Sequence, residues 1–374
     1  MRRLLLLILL GVTACHGSSP TSPIRRTTAT STSRGSTAGS SPAPTSTPVT
    51  TQSSSQPTPS PQPGSLTIGT ADQPDDTWAA WSPLTMPRAG MAAGLLGSDV
   101  VAAEGANRPS MDLLTSGADG WSANATYDAQ NGSAPLRLAT GLAGVAGAVD
   151  GSSLLAIGGH TSLTTNSYVY EYDATGFKGV FVQLPVALDE PAAGVVGQSL
   201  LVAGGADGST IVNTVEKVDL TTQQITSGAT MPLGVAGAAS TVLNGELYVF
   251  GGFSITNGAI AKQSMVQIYD PATNTWRSTT DGKAGAPPAL VPARHSAAAC
   301  ALNGKIYVFG GLTDKGLVAP VAIYDPAANT WSSGAPMPTP RAMLAAVAVN
   351  GYALVLGGFD TNRRAVATVE RYRP

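Results

Sequence analysis

The chain has 374 residues, of which 12% are charged, and a formal net charge of −2. This balance argues against nonspecific nucleic-acid binding by the whole chain, so we expect no nucleic-acid partner. Two cysteines exclude a disulfide framework and a Cys-rich zinc site, and no stretch reaches the roughly 20 apolar residues of a membrane span, which excludes a polytopic membrane protein.

Residues 1–15 have the pattern of a targeting segment. A cationic start at Met1–Arg3 precedes a seven-residue apolar run, Leu4–Leu10, which is too short to cross a bilayer. Small residues then lead to Cys15. This pattern resembles a bacterial lipoprotein signal, and the resemblance implies that Cys15 is lipidated and becomes the new N-terminus. The alternative is an ordinary secretory signal with a chance cysteine.

A lipidated Cys15 predicts a cell-envelope protein, anchored by its lipid and facing away from the cytoplasm. The attached chains meet the two-signal requirement for stable membrane anchoring. His16 follows the cysteine where an acidic residue would direct retention. By analogy with proteobacterial sorting, this favours the outer membrane over the inner one in a Gram-negative host.

Residues 16–75 are predicted to be a disordered linker. Within 17–70, 36 of 54 residues are Ser, Thr or Pro, and the only charges are Arg25, Arg26 and Arg34. Such a segment buries too little apolar surface to offset its conformational entropy. It would hold a following domain away from the membrane, unless its length has no role.

The remaining chain, 76–374, repeats a short pattern. Each copy ends a short β-rich run with a glycine pair: Gly158-Gly159, Gly204-Gly205, Gly251-Gly252, Gly310-Gly311 and Gly357-Gly358. The spacings are 46, 47, 59 and 47 residues, and an eroded copy has Glu104-Gly105 in place of the pair. After two of the pairs come a Tyr-Asp-Pro and an Asn-Thr-Trp, ending at Trp276 and Trp331. A period near 50 is typical of propeller blades.

These motifs resemble kelch repeats, which implies an all-β, six-bladed kelch β-propeller. The last copy stops after its tyrosine without an Asn-Thr-Trp strand, whereas the domain starts with Asp76-Thr77-Trp78. We therefore expect the N-terminal strand, Asp76–Trp81, to complete the last blade and close the ring without an exposed sheet edge. The tryptophans should pack between blades.

The residues give little support for a metal or cofactor site. Copper-radical oxidases of the galactose oxidase type resemble this chain in using kelch propellers, but they need several histidines and a cysteine bonded to a tyrosine. Only His160 and His295 lie in the repeats, and Cys300 lies in a small-residue strand that suggests a packed thiol. We expect no cofactor and no metal.

Arginines share one repeat position in three copies that would be adjacent in a closed ring. Arg88, Arg294 and Arg341 each lie sixteen residues before the first position of the glycine pair. In several kelch propellers, arginines here line the mouth of the central channel, which implies a partly solvated site for an anionic ligand. The alternative is a structural role in which they hydrogen-bond carbonyl groups between blades.

Basic loop residues should crowd the same face. The loops that follow the glycine pairs of these three copies carry Arg108, Lys315, Arg363 and Arg364. Residues 71–374 hold 16 Lys and Arg against 23 Asp and Glu, so this basic group would lie on an acidic domain. Two titratable candidates complete the predicted site. Glu104 is either a local ion-pair partner of Arg88 or, as a distant resemblance to the sialic acid mutarotases among kelch propellers implies, an acid/base group among the arginines. His295 adjoins Arg294 and is the second titratable candidate.

The sequence therefore predicts a lipid-anchored propeller that binds an anionic glycan or a protein without catalysis, and that is monomeric. The other hypothesis is a carbohydrate-active enzyme. It follows from a distant similarity to sialic acid mutarotases, which are periplasmic six-bladed kelch propellers, but beyond the repeat their motifs are not matched here.

Overall fold

A computed structural model describes residues 73–105, 110–115, 120–124, 141–283 and 285–374. These residues form 28 β-strands and no helix, arranged mainly as six four-stranded antiparallel sheets. Each sheet is one blade of a propeller, which confirms the predicted fold. The inner strand of each blade packs against the inner strands of its two neighbours around a central channel.

The first three complete blades follow the chain order, from the channel outwards. Blade 1 has β2 (Ala92–Leu96), β3 (Asp99–Ala103), β4 (Met111–Leu114) and β5 (Ser122–Asn124). Blade 2 has β6 (Ala146–Asp150), β7 (Ser153–Ile157), β8 (Tyr168–Asp173) and β9 (Gly176–Gln183). Blade 3 has β10 (Ala192–Val196), β11 (Ser199–Ala203), β12 (Val215–Asp219) and β13 (Ile225–Ser227).

Blades 4 and 5 each add a small hairpin between their second and third strands. Blade 4 has β14 (Ala239–Leu243), β15 (Glu246–Phe250), the hairpin β16 (Phe253–Thr256) and β17 (Ala259–Lys262), then β18 (Val266–Asp270) and β19 (Thr275–Ser278). Blade 5 has β20 (Ala298–Leu302), β21 (Lys305–Phe309), the hairpin β22 (Leu312–Thr313) and β23 (Gly316–Leu317), then β24 (Val321–Asp325) and β25 (Thr330–Gly334).

The last blade joins both ends of the described chain. Blade 6 has β26 (Ala345–Val349), β27 (Tyr352–Leu356), β28 (Val369–Arg373) and, outermost, β1 (Thr77–Trp81). β1 pairs with β28 over five residues, from Thr77 opposite Arg373 to Trp81 opposite Val369. The predicted closure by the N-terminal strand is confirmed.

Side chains from opposite ends of the chain reinforce this closure. The Asp76 carboxylate accepts a hydrogen bond from the Tyr372 hydroxyl at 2.6 Å. Asn274 and Asn329 accept the same bond from Tyr269 and Tyr324, at 2.6 and 2.7 Å. Asp76 thus fills in blade 6 the position that an asparagine fills in blades 4 and 5.

The glycine pairs allow successive blades to approach each other. A Cβ added at the first glycine of each pair would lie 2.2–2.5 Å from a carbonyl oxygen of the next blade. The second position of the pair donates its N–H to that same carbonyl at 2.7–2.9 Å, between all six neighbouring blades. A side chain at the first position would push this hydrogen bond apart, which explains the glycine there.

The hydrophobic core lies in layers between blades. In the second strand of each blade, the last four residues are buried, because this strand packs against both adjacent blades. The tryptophans of the outer strands close these layers, as predicted. Trp78, Trp121, Trp276 and Trp331 each donate an indole N–H to a carbonyl of the preceding blade at 2.8–3.0 Å.

Candidate functional site

The central channel opens where the inner strands begin, and we call this end of the propeller the mouth face. Because neighbouring strands are antiparallel, the mouth face also carries the loops between second and third strands and the connections from one blade to the next. Six residues form a ring at its centre: Gly90, Gly144, Glu190, Gly237, Ser296 and Met343. All six have φ between 49° and 69°.

Backbone hydrogen bonds link this ring from blade to blade. The N–H groups of Glu190, Gly237, Ser296, Met343 and Gly90 each donate to the carbonyl of the preceding ring residue at 2.6–3.0 Å. The Gly90 carbonyl instead accepts a hydrogen bond from the N–H of Val145, in blade 2, at 3.3 Å. Five of the six ring N–H groups are therefore satisfied within the ring.

The channel encloses a cavity of about 140 Å³ just inside this ring. Its wall is mainly glycine, alanine and other small or apolar residues contributed by all six blades. Of the lining residues that the structure describes, Glu190 is the only ionisable one.

The three arginines of the predicted cationic site are buried, at 0–1% exposure. The Arg88 guanidinium bonds to the Asp112 carboxylate at 2.6 Å and to the backbone carbonyls of Glu104 and Ser110, both at 2.8 Å. The Arg341 guanidinium bonds to the carbonyls of Gly357 and Thr368 at 2.7 and 2.8 Å and to the Glu370 carboxylate at 2.9 Å.

Arg294 has weaker partners. Its guanidinium donates to the carbonyls of Val291, Pro292 and Gly310, each at 3.3 Å. No acidic group of the described residues forms an ion pair with it. Burial without a compensating carboxylate lowers the pKa of Arg294 to about 10.

These contacts give the arginines a structural role, as in the alternative, but their guanidinium groups bond to carbonyls of their own blade and not to those of a neighbouring blade. Each side chain ties the start of an inner strand to the glycine-pair position of its own blade, and its backbone carbonyl accepts from the glycine pair of the preceding blade. The expectation of partly solvated guanidinium groups at the channel mouth is wrong, since all three are enclosed by protein. We therefore leave Arg88, Arg294 and Arg341 out of the proposed binding surface.

Glu104 does not form the expected ion pair with Arg88, which contacts its backbone carbonyl instead. The Glu104 carboxylate faces blade 2, where it accepts hydrogen bonds from the Tyr172 hydroxyl and from the Leu142 N–H, the latter at 3.0 Å. The side chain is fully buried, and this burial raises the pKa of Glu104. Glu104 thus joins blades 1 and 2 rather than facing the channel.

His295 lies beside the ring, partly buried. Its Nδ1 is 2.9 Å from the Ser296 hydroxyl, and its ring packs edge-on against Phe253 at 5.3 Å between centroids. Burial, aided by the charge of Lys262, lowers the pKa of His295 to about 4. His295 is therefore neutral at physiological pH.

The basic loop residues are placed on the mouth face and are exposed. Lys315 lies in the turn of the blade 5 hairpin, and Arg363 and Arg364 lie in the loop between β27 and β28. Both loops begin close to the channel. Isolated β-bridges pair Leu312 with His295 and Phe359 with Ala342, and His295 and Ala342 are next to the ring residues Ser296 and Met343. Arg108 and Cys15 lie outside the described residues.

Sequence reasoning missed the acidic group at the channel. The Asp189 carboxylate and His160 Nδ1 form a hydrogen bond at 2.7 Å. Glu190, the next residue in the chain, is a member of the ring. Burial and the charge of Asp189 raise the pKa of Glu190 to about 8. When the repeats are aligned, Glu190 occupies the position that is glycine at Gly90, Gly144 and Gly237. A carboxylate at a glycine position was the signal that could have identified it.

Exposed apolar side chains concentrate on the mouth face. Five large hydrophobic residues of the described chain are exposed, and four of them lie in mouth-face loops: Leu163, Val186, Ile260 and Val291. Leu163 and Val291 are the most exposed, at 83% and 77%. The mouth face therefore carries most of the exposed large apolar side chains of the described residues, in four separate connections.

Other site types find little support in the described residues. These residues hold no group of three or more His, Cys, Asp or Glu side chains arranged to bind a metal ion. Cys300 is buried in β20, and burial raises the pKa of its thiol to about 12. The described residues include no helix that is long and apolar enough to cross a membrane.

Comparisons with known proteins agree with the fold. Residues 190–370 match the family model described as the KLHDC2/KLHL20/DRC7 Kelch-repeats domain. F-box/kelch-repeat protein At1g67480 of Arabidopsis thaliana is 33% identical over 159 residues, which are 42% of this chain and 39% of that protein. Kelch-like protein 35 of Mus musculus is 28% identical over 175 residues, which are 47% of this chain and 28% of that protein.

The chain thus spans between 28% and 39% of the length of these curated relatives. Among solved structures, that of YjhT superposes with a TM-score of 0.64 at 14% identity and covers 78% of this chain and 96% of that chain. At this identity the likeness concerns the fold alone. Together with the glycine pairs and the Tyr and Trp positions described above, the comparisons show kelch repeats in this chain, matched by a family model over residues 190–370, and its described residues form a six-bladed β-propeller.

Proposed function

We propose that this chain is a noncatalytic binding module, held at the cell envelope by lipid on Cys15, that binds an anionic protein on its mouth face. One observation carries the proposal: the mouth face combines exposed apolar side chains with exposed basic ones. The three buried arginines take no part, because their hydrogen bonds are used within the propeller.

The apolar side chains favour a protein over a glycan as the ligand. Leu163, Val186, Ile260 and Val291 are aliphatic, whereas polysaccharides are generally held by polar groups and by stacking on aromatic rings. Protein interfaces bury apolar side chains at their centres and keep charged residues at the rim. The apolar loops of blade 4 adjoin the basic loop of blade 5, whereas those of blade 2 lie across the channel, so the mouth face suits a partner that spans the channel with an apolar surface and an acidic edge.

The charges determine which partners are favoured. The loops of Lys315, Arg363 and Arg364 also hold Asp314, which pairs with Lys262, and Asp360. The basic residues outnumber these acids, so the loops attract an acidic surface while the rest of the domain, which is acidic, repels it. Exposed charges act mainly on the association rate, and their effect falls with ionic strength. Binding should therefore be weaker at high salt.

The test is a charge reversal on each face of the full chain. The mouth-face variant carries Lys315→Glu, Arg363→Glu and Arg364→Glu. The control carries Lys178→Glu and Lys305→Glu, which are about half exposed on hairpins of the opposite face. An envelope extract of the source organism that contains both proteins and polysaccharides is passed over each form at low and high salt, and the acidic proteins or polysaccharides recovered are identified and titrated individually.

We expect wild type and control to bind the same acidic protein, and the mouth-face variant to bind it at least tenfold more weakly at low salt. High salt should remove most of that difference, since exposed charges are screened. Equal affinity of the two variants would contradict the proposal. Recovery of a polysaccharide instead of a protein would place the ligand in the other predicted class.

One observation favours the enzyme hypothesis as a second candidate. The Glu190 carboxyl, next to the His160–Asp189 pair, supplies a titratable group in the channel of the kind that an isomerase of acidic sugars would need. Against it, no cationic side chain lines the described cavity, and about 140 Å³ is small beside typical ligand pockets. Accelerated interconversion of sialic acid anomers that Glu190→Gln abolishes would favour the enzyme.

A further inference from the structure

Glu190 occupies a ring position where a large side chain is structurally unnecessary. Three of the six ring residues are glycine, and all six adopt the left-handed backbone conformation that glycine adopts most easily. Glu190 nevertheless has φ of 49°. A non-glycine residue in this region carries a conformational cost, which Ser296 and Met343 share, so what sets Glu190 apart is its carboxyl, the one ionisable group among the described residues that line the cavity.

Neighbouring glycines provide the space for this side chain. A Cβ added at Gly144 would lie 3.0 Å from Glu190 Cγ, and one added at Gly237 would lie 2.5 Å from Glu190 Oε2. The Glu190 carboxyl therefore extends along the ring from blade 2 towards blade 4. Its Oε2 atom is buried and has no hydrogen-bond partner among the described residues.

No nearby protein group satisfies this oxygen. On one side, His160 directs its Nδ1 to Asp189 at 2.7 Å rather than to Glu190. On the other side lie Gly237 and the Phe253 ring, and Phe253 separates the ring position from the neutral His295. A buried carboxyl oxygen without a partner is unfavourable, because it has lost its hydration without a replacement.

We propose that the mouth of the channel is a binding site for a primary ammonium group, and that Glu190 accepts a hydrogen bond from it. The donor is either a small alkylamine or the end of a lysine side chain, since both present the same group. An ammonium carries three N–H donors and a positive charge, so it stabilises the ionised Glu190 carboxyl once that carboxyl turns from its buried position beside Gly237 into the cavity that it lines.

The shape of the cavity fits a short alkyl chain behind this group. Its volume is about 140 Å³, and its wall is mainly alanine, glycine, valine and methionine. These residues offer apolar contact but no competing charge. The inference rests on the channel alone and does not depend on the mouth-face loops, so the two proposals can fail separately.

The site should bind more tightly as the pH rises through the pKa of Glu190. With a pKa raised to about 8, the empty site is mostly protonated at pH 7, whereas the ammonium prefers the carboxylate. The ionised fraction of such a group grows about fivefold between pH 7 and pH 8, while an alkylammonium keeps its charge. Binding at pH 7 should therefore also release a proton from Glu190.

Other titratable groups facing the site act in both directions or are already neutral. His160 acts in both directions: although burial opposes it, Asp189 raises the pKa of His160, and loss of the His160 proton removes a charge that repels the ammonium but that also favours ionisation of Glu190. His295 is neutral throughout this range, since its pKa is lowered to about 4. A Glu190→Gln variant keeps both histidines and Asp189, and thereby isolates the contribution of Glu190.

The experiment titrates the full chain with n-butylammonium chloride at pH 7 and pH 8, at constant ionic strength. Backbone amide shifts of Gly144 and Gly237 report binding by NMR. We expect a saturable shift whose affinity increases about fivefold between the two pH values. Nα-acetyl-lysine methylamide is titrated in parallel, and its binding would identify a lysine side chain as an acceptable source of the ammonium.

Two controls make the result specific. Tetramethylammonium carries the same charge without an N–H donor and should bind at least tenfold more weakly. Glu190→Gln should abolish the saturable shift, whereas Glu216→Gln, on β12 away from the channel, should leave it unchanged. Thermal melting verifies that both variants are folded.

Several outcomes would overturn the site. They are the absence of a saturable shift for n-butylammonium at pH 8 in the wild type, equal affinity in a folded Glu190→Gln variant, and equal affinity for tetramethylammonium. Binding of the alkylamine without binding of the lysine derivative supports the site and restricts it to small amines.

Discussion

Arg88, Arg294 and Arg341 occupy one repeat position, yet their partners differ in a way that should affect stability. Arg88 and Arg341 each pair with a buried carboxylate, Asp112 and Glu370, whereas Arg294 contacts carbonyl groups only. Removing one partner of a buried ion pair leaves the other charge unpaired, which is more costly than losing hydrogen bonds to carbonyls.

We therefore predict that Arg88→Ala lowers the free energy of unfolding by about 3–5 kcal/mol. Arg294→Ala should lower it by about 1–3 kcal/mol, because no carboxylate is left unpaired. Urea unfolding of the single variants measures both. Arg364→Ala, at an exposed mouth-face position, is the matched control and should change stability by less than about 0.5 kcal/mol. Equal losses for Arg88→Ala and Arg294→Ala would show that Asp112 does not need its partner.

Glu104 shows how a single side chain can replace a glycine. It stands at the first position of the eroded pair, with φ of 65°, where the other copies have glycine. Its carboxylate takes hydrogen bonds from Leu142 and Tyr172 of the next blade. These bonds connect blades 1 and 2 at the place where, between the other blades, a glycine pair allows close approach.

At the scale of strands, the closing element is β1. It contributes five backbone pairs with β28, and Trp78 packs against Phe309 and Tyr372 with centroid distances of 5.8 and 5.0 Å. Without it, blade 6 would present β28 as an open edge. An unpaired edge strand exposes hydrogen-bonding groups and invites association with other chains.

Two truncations test this closure. Deleting residues 16–70 leaves every described contact of β1 in place and should not change the melting temperature. Extending the deletion to residue 82 removes the β1 ladder and the packed Trp78, and should cost several kcal/mol of stability. Thermal unfolding compares the two, and size-exclusion chromatography detects association through the open edge. Identical melting temperatures would mean that β1 contributes nothing to the closed ring.

At the scale of the whole molecule, the ring is held by repeated contacts between neighbouring blades. The glycine-pair amides and the ring residues supply two circles of backbone hydrogen bonds around the channel. Because each blade is joined to both neighbours, the propeller presents its loops from a rigid support. This is the arrangement in which loop side chains can serve binding without weakening the fold.

The proposed position of this propeller at a membrane depends on one residue. Cys15 is the only cysteine near the N-terminus, so Cys15→Ala should abolish lipidation and release the protein from membranes. Partitioning between detergent and aqueous phases measures the change, and Cys300→Ala, in the propeller core, is the control for loss of a thiol. Unchanged partitioning of Cys15→Ala would contradict the lipid anchor.

The number of blades and the manner of closure could be predicted from the sequence by itself. Glycine pairs, tyrosines and tryptophans recur at fixed offsets because equivalent positions pack in the same way in each blade. The missing Asn-Thr-Trp at the C-terminus and the Asp76-Thr77-Trp78 at the start of the propeller then indicated which strand completes blade 6. These features depend on short stretches of chain, so their spacing alone reveals them.

Only the tertiary structure decided what the polar side chains do. Arg88 reaches carbonyls and an acid 16 to 24 residues away, and Glu104 turns to a tyrosine 68 residues away, so their burial depends on groups that the sequence does not place. The position of Glu190 in the channel depends on the inner strands of the other five blades, which meet there. Exposure and hydrogen-bonding partners are properties of the assembled ring, and this is why the sequence pattern places the arginines at the channel mouth, where the structure has Glu190 and encloses the arginines in protein.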